Sequence, residues 1–479
     1  MRFLIAPLCF LLILWSRPVI SQDTREDFSE AITLIDLWLD AQRFYDNLPG
    51  LSVAVIQDQE LLWSKGYGYA DLANKEPASA STKYSICSIS KLFTAVAIMH
   101  LYDAGKLRLD DKVEDLLPWF NIKQQFADSG PITVRSLLTH SSGLPRESNH
   151  PYWTGPDFPF PDKAMVKSGL DAQETLYPAS TYFQYSNLGL TLLGEIVTQV
   201  SGTSYSEYVN KYILDPLKMH STETFMPESE WGGKLAIGYG SAKRDGQREQ
   251  VALFDAKGIT AAAGFSSTVE DLGKFASWQF RLMANGGTEI LQASTLKYMQ
   301  QVHWIDPDWK TSWGLGFAVW EENGKSVMGH GGSCPGYRST IMIDPAKKKA
   351  VIVMVNASGV NPSRYVNGIK EALAKCKTGE AEMQDVDLTA YTGFYNAQPW
   401  WSEEVIIPWQ GKLASISLPN ENPAKGMTLL EQVEADLFKR QRKDETLGEE
   451  IRFERNSEGK VIKYWQHNNF SNKIAPLNR

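Results

Sequence analysis

The sequence predicts a mixed α/β (α+β) protein in which helices flank an antiparallel sheet and a small all-β domain follows. Strand-like segments lie near both ends of residues 22–378, and the part between them, from about residue 110 to residue 280, is mainly helical. Strands that come from the two ends of one domain pair antiparallel, and the helical insertion then lies beside the sheet. After Gly379 the chain changes to short β-type runs, which predicts a separate domain over residues 379–479.

Hydrophobic spacing and turn residues predict the elements of the first domain. Apolar residues at helical spacing predict a helix over residues 27–47, which Pro49-Gly50 ends. A polar turn between two apolar runs predicts a hairpin of residues 51–56 and 61–67. The same criteria predict helices at 88–105, 188–200 and 362–375, and strands at 313–321, 326–330, 337–343 and 350–355.

The last hundred residues alternate short apolar runs with turns. Strands are predicted at 391–395, 405–409, 413–418, 451–455 and 460–467. The last two are joined by Asn456-Ser457-Glu458-Gly459, a hairpin sequence. We expect a barrel-like, β-rich domain that covers the cleft of the first domain or contacts a neighbouring subunit.

The first 21 residues have the order of a secretory signal peptide. Met1-Arg2 precedes an apolar run over residues 3–15, and small residues lead to Ser21. We expect cleavage near Ser21 and a secreted or periplasmic protein. No other stretch has the length that a membrane span needs. The formal charge of −8 disfavours nucleic acid or an anionic membrane as a partner.

Residues 88–91, Ser-Ile-Ser-Lys, begin a predicted helix that is apolar all round and therefore buried. Residues three apart share a helix face, so Ser88 and Lys91 point the same way near the N–H groups of the first turn. A lysine in a dry site can lose its proton and serve as the base for a serine nucleophile. In isolation, this pattern is more often a Ser N-cap followed by a solvated lysine.

Three short motifs occur in order: Ser88-x-x-Lys91, Tyr185-Ser186-Asn187 and His330-Gly331-Gly332. In order and spacing they resemble the three active-site motifs of the serine β-lactamase and penicillin-binding-protein family. The class C branch, with its D,D-carboxypeptidases, D-aminopeptidases and esterases, is the most similar. The resemblance covers residues 27–375. It implies a β-lactamase/transpeptidase-like sheet flanked by helices, with an all-helical subdomain.

The resemblance implies catalytic roles for three residues. Ser88 attacks an acyl carbon, and either Lys91 or Tyr185 takes its proton. The sequence leaves both bases open. The alternative for the second motif is a helix start with a buried aromatic residue.

The resemblance also implies a substrate-binding set. Asn187 orients Lys91 and hydrogen-bonds a substrate amide. The backbone N–H groups of Ser88 and Ser333 stabilise the tetrahedral oxyanion. Gly332, together with the glycine before it, lets a substrate lie close to the strand edge.

His330 departs from the true β-lactamases, which usually carry lysine at this position. Histidine is only partly protonated near neutral pH, so it offers a substrate carboxylate less charge than lysine does. It resembles the peptidase and non-lactamase members, and efficient β-lactam hydrolysis is therefore in doubt. The alternative is a structural histidine at a strand end.

Other polar and aromatic residues are better explained by packing. His140, with Ser141-Ser142, matches a family loop whose role is packing. The aromatic loop of residues 152–161 either rims the pocket or packs at the surface. The histidines are scattered singly and no Cys-x-x-Cys occurs, so we expect no metal and no cofactor.

The mature chain would keep three cysteines: Cys87, Cys334 and Cys376. Three is odd, so at least one stays free. Cys87 and Cys334 flank the two implied oxyanion donors, and a disulfide between them is one possibility. Three free thiols are the other, because the two side chains can point apart.

These observations predict an exported, cofactor-free serine hydrolase that forms an acyl-enzyme on Ser88. Its small-molecule or peptide substrates would be D-amino-acid peptides, amides or simple esters. A true β-lactamase is the alternative enzyme. A slow β-lactam-binding or sensor protein, in which deacylation is blocked, is the alternative from another class. The oligomeric state is left open.

Overall fold

The computed structural model describes residues 28–376 and 387–475. The predicted signal peptide and the predicted boundary between residues 378 and 379 lie outside the described residues, so both stay predictions. We call residues 28–376 the sheet domain and residues 387–475 the barrel domain. In the described part of the chain, no helix combines the length and the apolar character that crossing a bilayer requires.

The sheet domain is built on nine antiparallel strands in the order β3-β2-β1-β13-β12-β11-β10-β9-β8, beside two short two-stranded pairs. Its strands are β1 (Gly50–Gln57), β2 (Glu60–Asp71), β3 (Glu76–Pro77), β4 (Tyr84–Ser85), β5 (Ser266–Ser267), β6 (Thr288–Glu289), β7 (Leu291–Gln292), β8 (Trp304–Ile305), β9 (Ser312–Trp313), β10 (Ala318–Glu322), β11 (Lys325–Cys334), β12 (Tyr337–Asp344) and β13 (Lys349–Val355). The sheet therefore joins strands from both ends of the domain, as the sequence predicts.

Most helices lie between the two strand groups, and α1 and α11 lie outside them. They are α1 (Ser29–Tyr45), α2 (Ser90–Asp103), α3 (Val113–Leu116), α4 (Val134–Leu138), α5 (Lys163–Gly169), α6 (Asn187–Ser201), α7 (Tyr205–Val209), α8 (Thr260–Ala263), α9 (Val269–Asn285), α10 (Ala293–Met299) and α11 (Ser363–Ala374). The predicted fold class, an antiparallel sheet with helices on its faces and a helical insertion, is confirmed.

The two faces of the sheet bury different helices because successive strand residues point to opposite faces. Ala54 and Ile56 of β1 belong to the core that contains α2, α6 and α9. Val53 and Val55 belong to a second core with α1 and α11. The nucleophile helix α2 and the helix pair α1/α11 thus lie on opposite sides of the sheet.

Two predicted elements differ from the structure near α2. Ser88 lies in a short 3-10 turn, Cys87–Ile89, and α2 begins only at Ser90. Cys87, the first residue of this turn, has φ +52°, a left-handed conformation. The predicted strand 313–321 is interrupted between β9 and β10. There Gly316 has φ +85°, and a Cβ at this position would lie 2.3 Å from Ala95 Cβ of α2.

The barrel domain is a closed eight-stranded antiparallel barrel. Its elements are β14 (Gly393–Asn396), β15 (Glu403–Trp409), β16 (Lys412–Leu418), α12 (Pro423–Gly426), β17 (Thr428–Glu434), β18 (Leu437–Gln441), β19 (Leu447–Arg455), β20 (Val461–Gln466) and β21 (Asn469–Ile474). The predicted all-β domain is confirmed. Strands β17, β18 and β21 were not predicted, because charged and amide side chains interrupt their short apolar patterns.

The barrel domain packs on α1 and α11. Val405 and Ile407 of β15 join the core of these helices, while Ile406 between them points into the barrel. The Trp38 indole of α1 donates a 2.7 Å hydrogen bond to the carbonyl of Asn420. The expectation that this domain covers the cleft of its own chain is therefore wrong. The apolar outer face of β15 and β16 directs it to the side of the sheet away from α2.

Candidate active site

Ser88 and Lys91 lie where the turn before α2 meets the helix. Lys91 Nζ is 3.0 Å from Ser88 Oγ, as expected for residues one helical turn apart. Lys91 is 1% exposed, because α2 is buried nearly all round. Burial is the main cause that holds the pKa of Lys91 well below its ordinary value, and Arg146 lowers it further while Glu147 raises it.

The three partners of Lys91 define the direction of its lone pair. Nζ is 2.7 Å from Asn187 Oδ1 and 2.7 Å from the carbonyl oxygen of Ala262. Both of these oxygens are acceptors only. A neutral amine therefore uses its two N–H groups on them and directs its lone pair at the Ser88 hydroxyl.

Asn187 is fixed in the orientation that this arrangement needs. Its Nδ2 donates a 2.7 Å hydrogen bond to Glu147 Oε1, so its Oδ1 faces Lys91. Tyr152 donates its hydroxyl proton to the other oxygen of Glu147, and Arg146 Nε lies 3.2 Å from Oε1. A chain of contacts thus joins the surface ion pair Arg146–Glu147 to the buried Lys91.

Tyr185 lies over Lys91, with Nζ 5.0 Å from the centre of its ring. Burial raises the pKa of Tyr185, and a hydrogen bond with Ser88 opposes this rise. The phenol is therefore protonated at neutral pH. Helix α6 places Tyr185 because Ser186 caps it, with Ser186 Oγ accepting a hydrogen bond from the N–H of Gly189.

His140 packs against the second motif and hydrogen-bonds to it. Its Nδ1 accepts a 3.1 Å hydrogen bond from the N–H of Ser186, and its ring stacks on Tyr185 at 4.2 Å between centres. Burial holds the pKa of His140 well below its ordinary value. These contacts agree with the packing role expected for this histidine.

His330 is buried on β11 at the edge of the same site. Its ring lies 6.2 Å from the Tyr185 ring and 5.6 Å from the Trp313 ring. Nδ1 is 2.6 Å from the carbonyl oxygen of Gly331, so Nδ1 carries the proton. Nε2 is buried and has no hydrogen-bond partner in the described part of the chain. Burial, with a contribution from Lys91, lowers the pKa of His330 to about 3.

The strand β11 approaches the Ser88 turn closely. A Cβ at Gly332 would lie 2.3 Å from the carbonyl oxygen of Ile86, so only glycine fits. Gly332 thus serves the packing of strand on turn, and the exposed Gly331 is the residue with open space beside it. Ser333, the second implied oxyanion donor, pairs with Arg338 in the β11–β12 ladder.

A disulfide between Cys87 and Cys334 joins the Ser88 turn to the end of β11, with 5.7 Å between the Cα atoms. The sequence left open a disulfide between these two cysteines or three free thiols, and the structure has the disulfide. The bond connects the residue before Ser88 to the residue after Ser333. The two implied oxyanion donors are therefore held near each other.

The structure brings together the predicted residues Ser88, Lys91, Tyr185 and Asn187, with His330 beside them. The structure also places at this site three groups that the motifs did not indicate: Arg146, Glu147 and the carbonyl of Ala262. Glu147 and Ala262 belong to none of the three motifs. No spacing pattern in the sequence indicates either residue, because each contacts a residue that is distant along the chain.

A serine beside a buried lysine, at the start of a helix under the edge of an antiparallel sheet, is the site of serine β-lactamase-like and penicillin-binding-protein-like proteins. The chain belongs to the beta-lactamase family, whose family model matches residues 38–375. The predicted resemblance is confirmed.

The chain is similar to two curated relatives. It is 27% identical over 332 residues to protein flp of Staphylococcus aureus (strain MW2), a match that covers 68% of this chain and 62% of flp. The chain thus spans less than two thirds of the length of flp. It is 26% identical over 381 residues to penicillin-binding protein 4 of Amycolatopsis lactamdurans, covering 75% of this chain and 96% of that protein.

Among solved structures, the octameric penicillin-binding protein homologue from Pyrococcus abyssi aligns with a TM-score of 0.64 and 25% identity. The alignment covers 92% of this chain and 100% of the archaeal chain. The similarity therefore extends beyond the sheet domain into the barrel domain.

Proposed function

We propose that the chain is an exported serine hydrolase that acylates Ser88 and acts on D-amino-acid amides and peptides or on simple esters. The observation that carries the proposal is the environment of Lys91. A buried amine with two acceptor-only partners directs its lone pair at a hydroxyl 3.0 Å away. This is the geometry of a general base and its nucleophile.

The reaction proceeds in two balanced steps. Ser88 Oγ bonds to the substrate carbonyl carbon while its proton passes to Lys91 Nζ. The bond from that carbon to the amine or alcohol then breaks, and the leaving group takes a proton from the protonated Tyr185 or from Lys91. Water attacks the acyl-enzyme by the reverse proton path and releases the acid and free Ser88. The N–H groups of Ser88 and Ser333 stabilise the oxyanion in both steps.

His330 supports the choice among substrate classes. With its proton on Nδ1, it is neutral, and its buried Nε2 keeps a lone pair without a hydrogen-bond partner in the described part of the chain. A substrate hydroxyl, amide N–H or ammonium group can donate to this nitrogen, whereas a carboxylate receives no charge from it. This favours amides and esters over β-lactams, whose recognition depends on a carboxylate.

The Cys87–Cys334 disulfide supports export, since disulfides persist mainly in oxidising compartments. Fractionation of the native host followed by N-terminal sequencing tests this part. We expect the protein outside the cytoplasm with its N-terminus near residue 22. An intact N-terminus in the cytoplasm would contradict export.

Time-resolved intact-protein mass spectrometry tests the reaction. D-phenylalanine p-nitroanilide, p-nitrophenyl acetate and benzylpenicillin are each mixed with wild-type protein, with Ser88→Ala and with the matched surface variant Ser294→Ala. We expect the amide and the ester to be hydrolysed by wild type and by Ser294→Ala, and by Ser88→Ala at a rate at least 10³-fold lower.

Benzylpenicillin separates the alternatives. Slow or no hydrolysis of the drug, beside turnover of the amide, supports the proposal. Rapid Ser88-dependent hydrolysis of the drug without turnover of the amide would make the chain a β-lactamase. A lasting adduct on Ser88 with no turnover of the amide or ester would make it a binding protein.

A further inference from the structure

The barrel domain contains a cavity of about 490 Å³ at one end of its lumen. The rest of the lumen is filled by apolar and aromatic side chains, among them Tyr391, Phe438 and Phe453. The cavity end is lined mainly by polar residues from several strands, including Ser415, Ser417 and Thr428. An eight-stranded barrel is wide enough to hold one small ligand in this way.

Glu404 is the half-buried acidic group of this cavity. It belongs to β15, lies opposite Ser417 in the ladder with β16, and accepts hydrogen bonds from the hydroxyls of Ser415 and Tyr464. No lysine, arginine or histidine forms an ion pair with it in the described ranges. Burial raises the pKa of Glu404, because a carboxylate with only neutral donors is poorly stabilised.

Two tryptophans stand at the mouth of the cavity. Trp400 is 80% exposed and Trp401 is 62% exposed. The backbone N–H groups of both donate 3.1 Å hydrogen bonds to the carbonyl of Ala397, which fixes the turn that carries them. Large aromatic side chains that remain exposed beside a cavity mark a ligand-binding surface. The indole is also the best aromatic partner for a cation.

The remaining charge in the lining limits the class of ligand. Arg440 lines the cavity from β18, and His467 lies at its rim. A polycation would be repelled by Arg440. A ligand with one ammonium group and a hydrogen-bond acceptor at its other end satisfies both Glu404 and Arg440.

We propose that the barrel lumen is a binding site for a small amino-acid-like amine, with its ammonium group on Glu404 and its apolar body against Trp400 and Trp401. The site lies in a domain that packs on α1 and α11, on the other side of the sheet from Ser88. It does not depend on the reaction proposed for Ser88.

Isothermal titration of the full chain tests the site. Ser88→Ala protein is titrated with L-phenylalaninol and with 3-phenylpropan-1-ol, which lacks only the amino group. Neither molecule has an acyl bond to hydrolyse. We expect L-phenylalaninol to bind at least tenfold more tightly, since a hydrogen bond to a charged group is roughly worth that much.

Variants locate the binding. Glu404→Gln should weaken the binding of L-phenylalaninol roughly 10- to 100-fold, and Trp400→Ala or Trp401→Ala roughly two- to fivefold. The matched controls are Glu458→Gln and Phe470→Ala, which change exposed residues of the same barrel. These controls should leave the affinity unchanged. Circular dichroism and melting curves check that each variant is folded.

Three outcomes would overturn the proposal. The first is no detectable binding of L-phenylalaninol. The second is equal affinity for the alcohol without the amino group. The third is binding that survives in folded Glu404→Gln and in both tryptophan variants, which would place the ligand elsewhere on the chain.

Discussion

Lys91 in the sheet domain is a buried ionisable group and Glu404 in the barrel domain is a half-buried one, and burial shifts the pKa of each toward its neutral form. Their partners differ. Lys91 faces two acceptors that the fold holds in place, and one hydroxyl that can give up a proton. Glu404 faces two hydroxyl donors and a cavity that reaches solvent.

The difference shows how one physical effect serves two purposes. Around Lys91 every hydrogen-bond position is taken, so the neutral amine can only accept the Ser88 proton. Glu404 forms no ion pair among the described residues, although Arg440 lines the same cavity, so the carboxyl group is poorly stabilised until a ligand brings a cation to it. Burial with fixed acceptors suits proton transfer, and burial beside an open cavity suits binding.

The largest effect should come from Lys91→Met, which keeps the volume of the side chain and removes the base. We expect kcat/KM for D-phenylalanine p-nitroanilide to fall by about 10²- to 10⁴-fold. The matched control is Lys234→Met, a lysine that is 79% exposed, and it should retain full activity. A loss smaller than tenfold in Lys91→Met would indicate Tyr185 as the base instead.

A smaller effect should come from removing one charge of the ion pair Arg146–Glu147. This pair lies beside Lys91, and Glu404 has no such pair. The rate rises with pH as Lys91 loses its proton. Glu147 raises the pKa of Lys91 and Arg146 lowers it, whereas His140 and His330 are neutral there. Glu147→Gln should therefore move the acid limb of kcat/KM to lower pH, and Arg146→Gln should move it to higher pH.

Each shift should be on the order of half to one pH unit, as expected for one partly screened charge. The double variant should return close to the wild-type profile. The measurement is the pH dependence of kcat/KM for p-nitrophenyl acetate. Shifts in the same direction for both single variants would show that the pair acts through structure and not through charge.

The smallest effect concerns stability, and its sign differs between the two groups. Lys91 has a folded-state pKa below 10.5, so its cost to stability is full at low pH and disappears as pH rises toward 10.5. Glu404 has a folded-state pKa above 4.5, so its cost is absent at low pH and grows as pH rises above 4.5.

Thermal unfolding from pH 4 to pH 10 measures this contrast. The measured quantity is the Tm of the variant minus the Tm of wild type at the same pH. For Lys91→Met this difference should fall with rising pH, and for Glu404→Gln it should rise, each by about 1–3 °C. Glu458→Gln, at an exposed position, should show no such trend. Parallel trends in the two buried-site variants would contradict the comparison.

The sequence predicted the parts of the site that are local. Ser88 and Lys91 are three residues apart at the start of a buried helix, and Tyr185 and Asn187 flank a helix cap, so their relative positions follow from helix geometry. Glu147 could not be predicted in the same way. Its role depends on a loop that the fold brings into contact with Asn187, and no periodic pattern in the sequence predicts that contact.

Strand β15 shows the same limit for the fold. Val405, Ile406 and Ile407 form one apolar run, which indicates a strand buried on both faces. The sequence does not say that Ile406 faces the lumen while its neighbours face α1. An apolar outer face can dock on any apolar surface of matching shape, so this run alone does not place the barrel domain.

The sequence alone therefore determined the fold class, the three motifs and the chemistry that those motifs allow, because the motifs and the main apolar patterns depend on residues close along the chain. The tertiary structure decided which way the Lys91 lone pair points, which side of the sheet the barrel domain occupies, and that Glu404 lines a cavity without forming an ion pair. Hydrogen-bond partners, solvent exclusion and electric fields are set by residues distant along the chain, and only the folded packing brings those residues together.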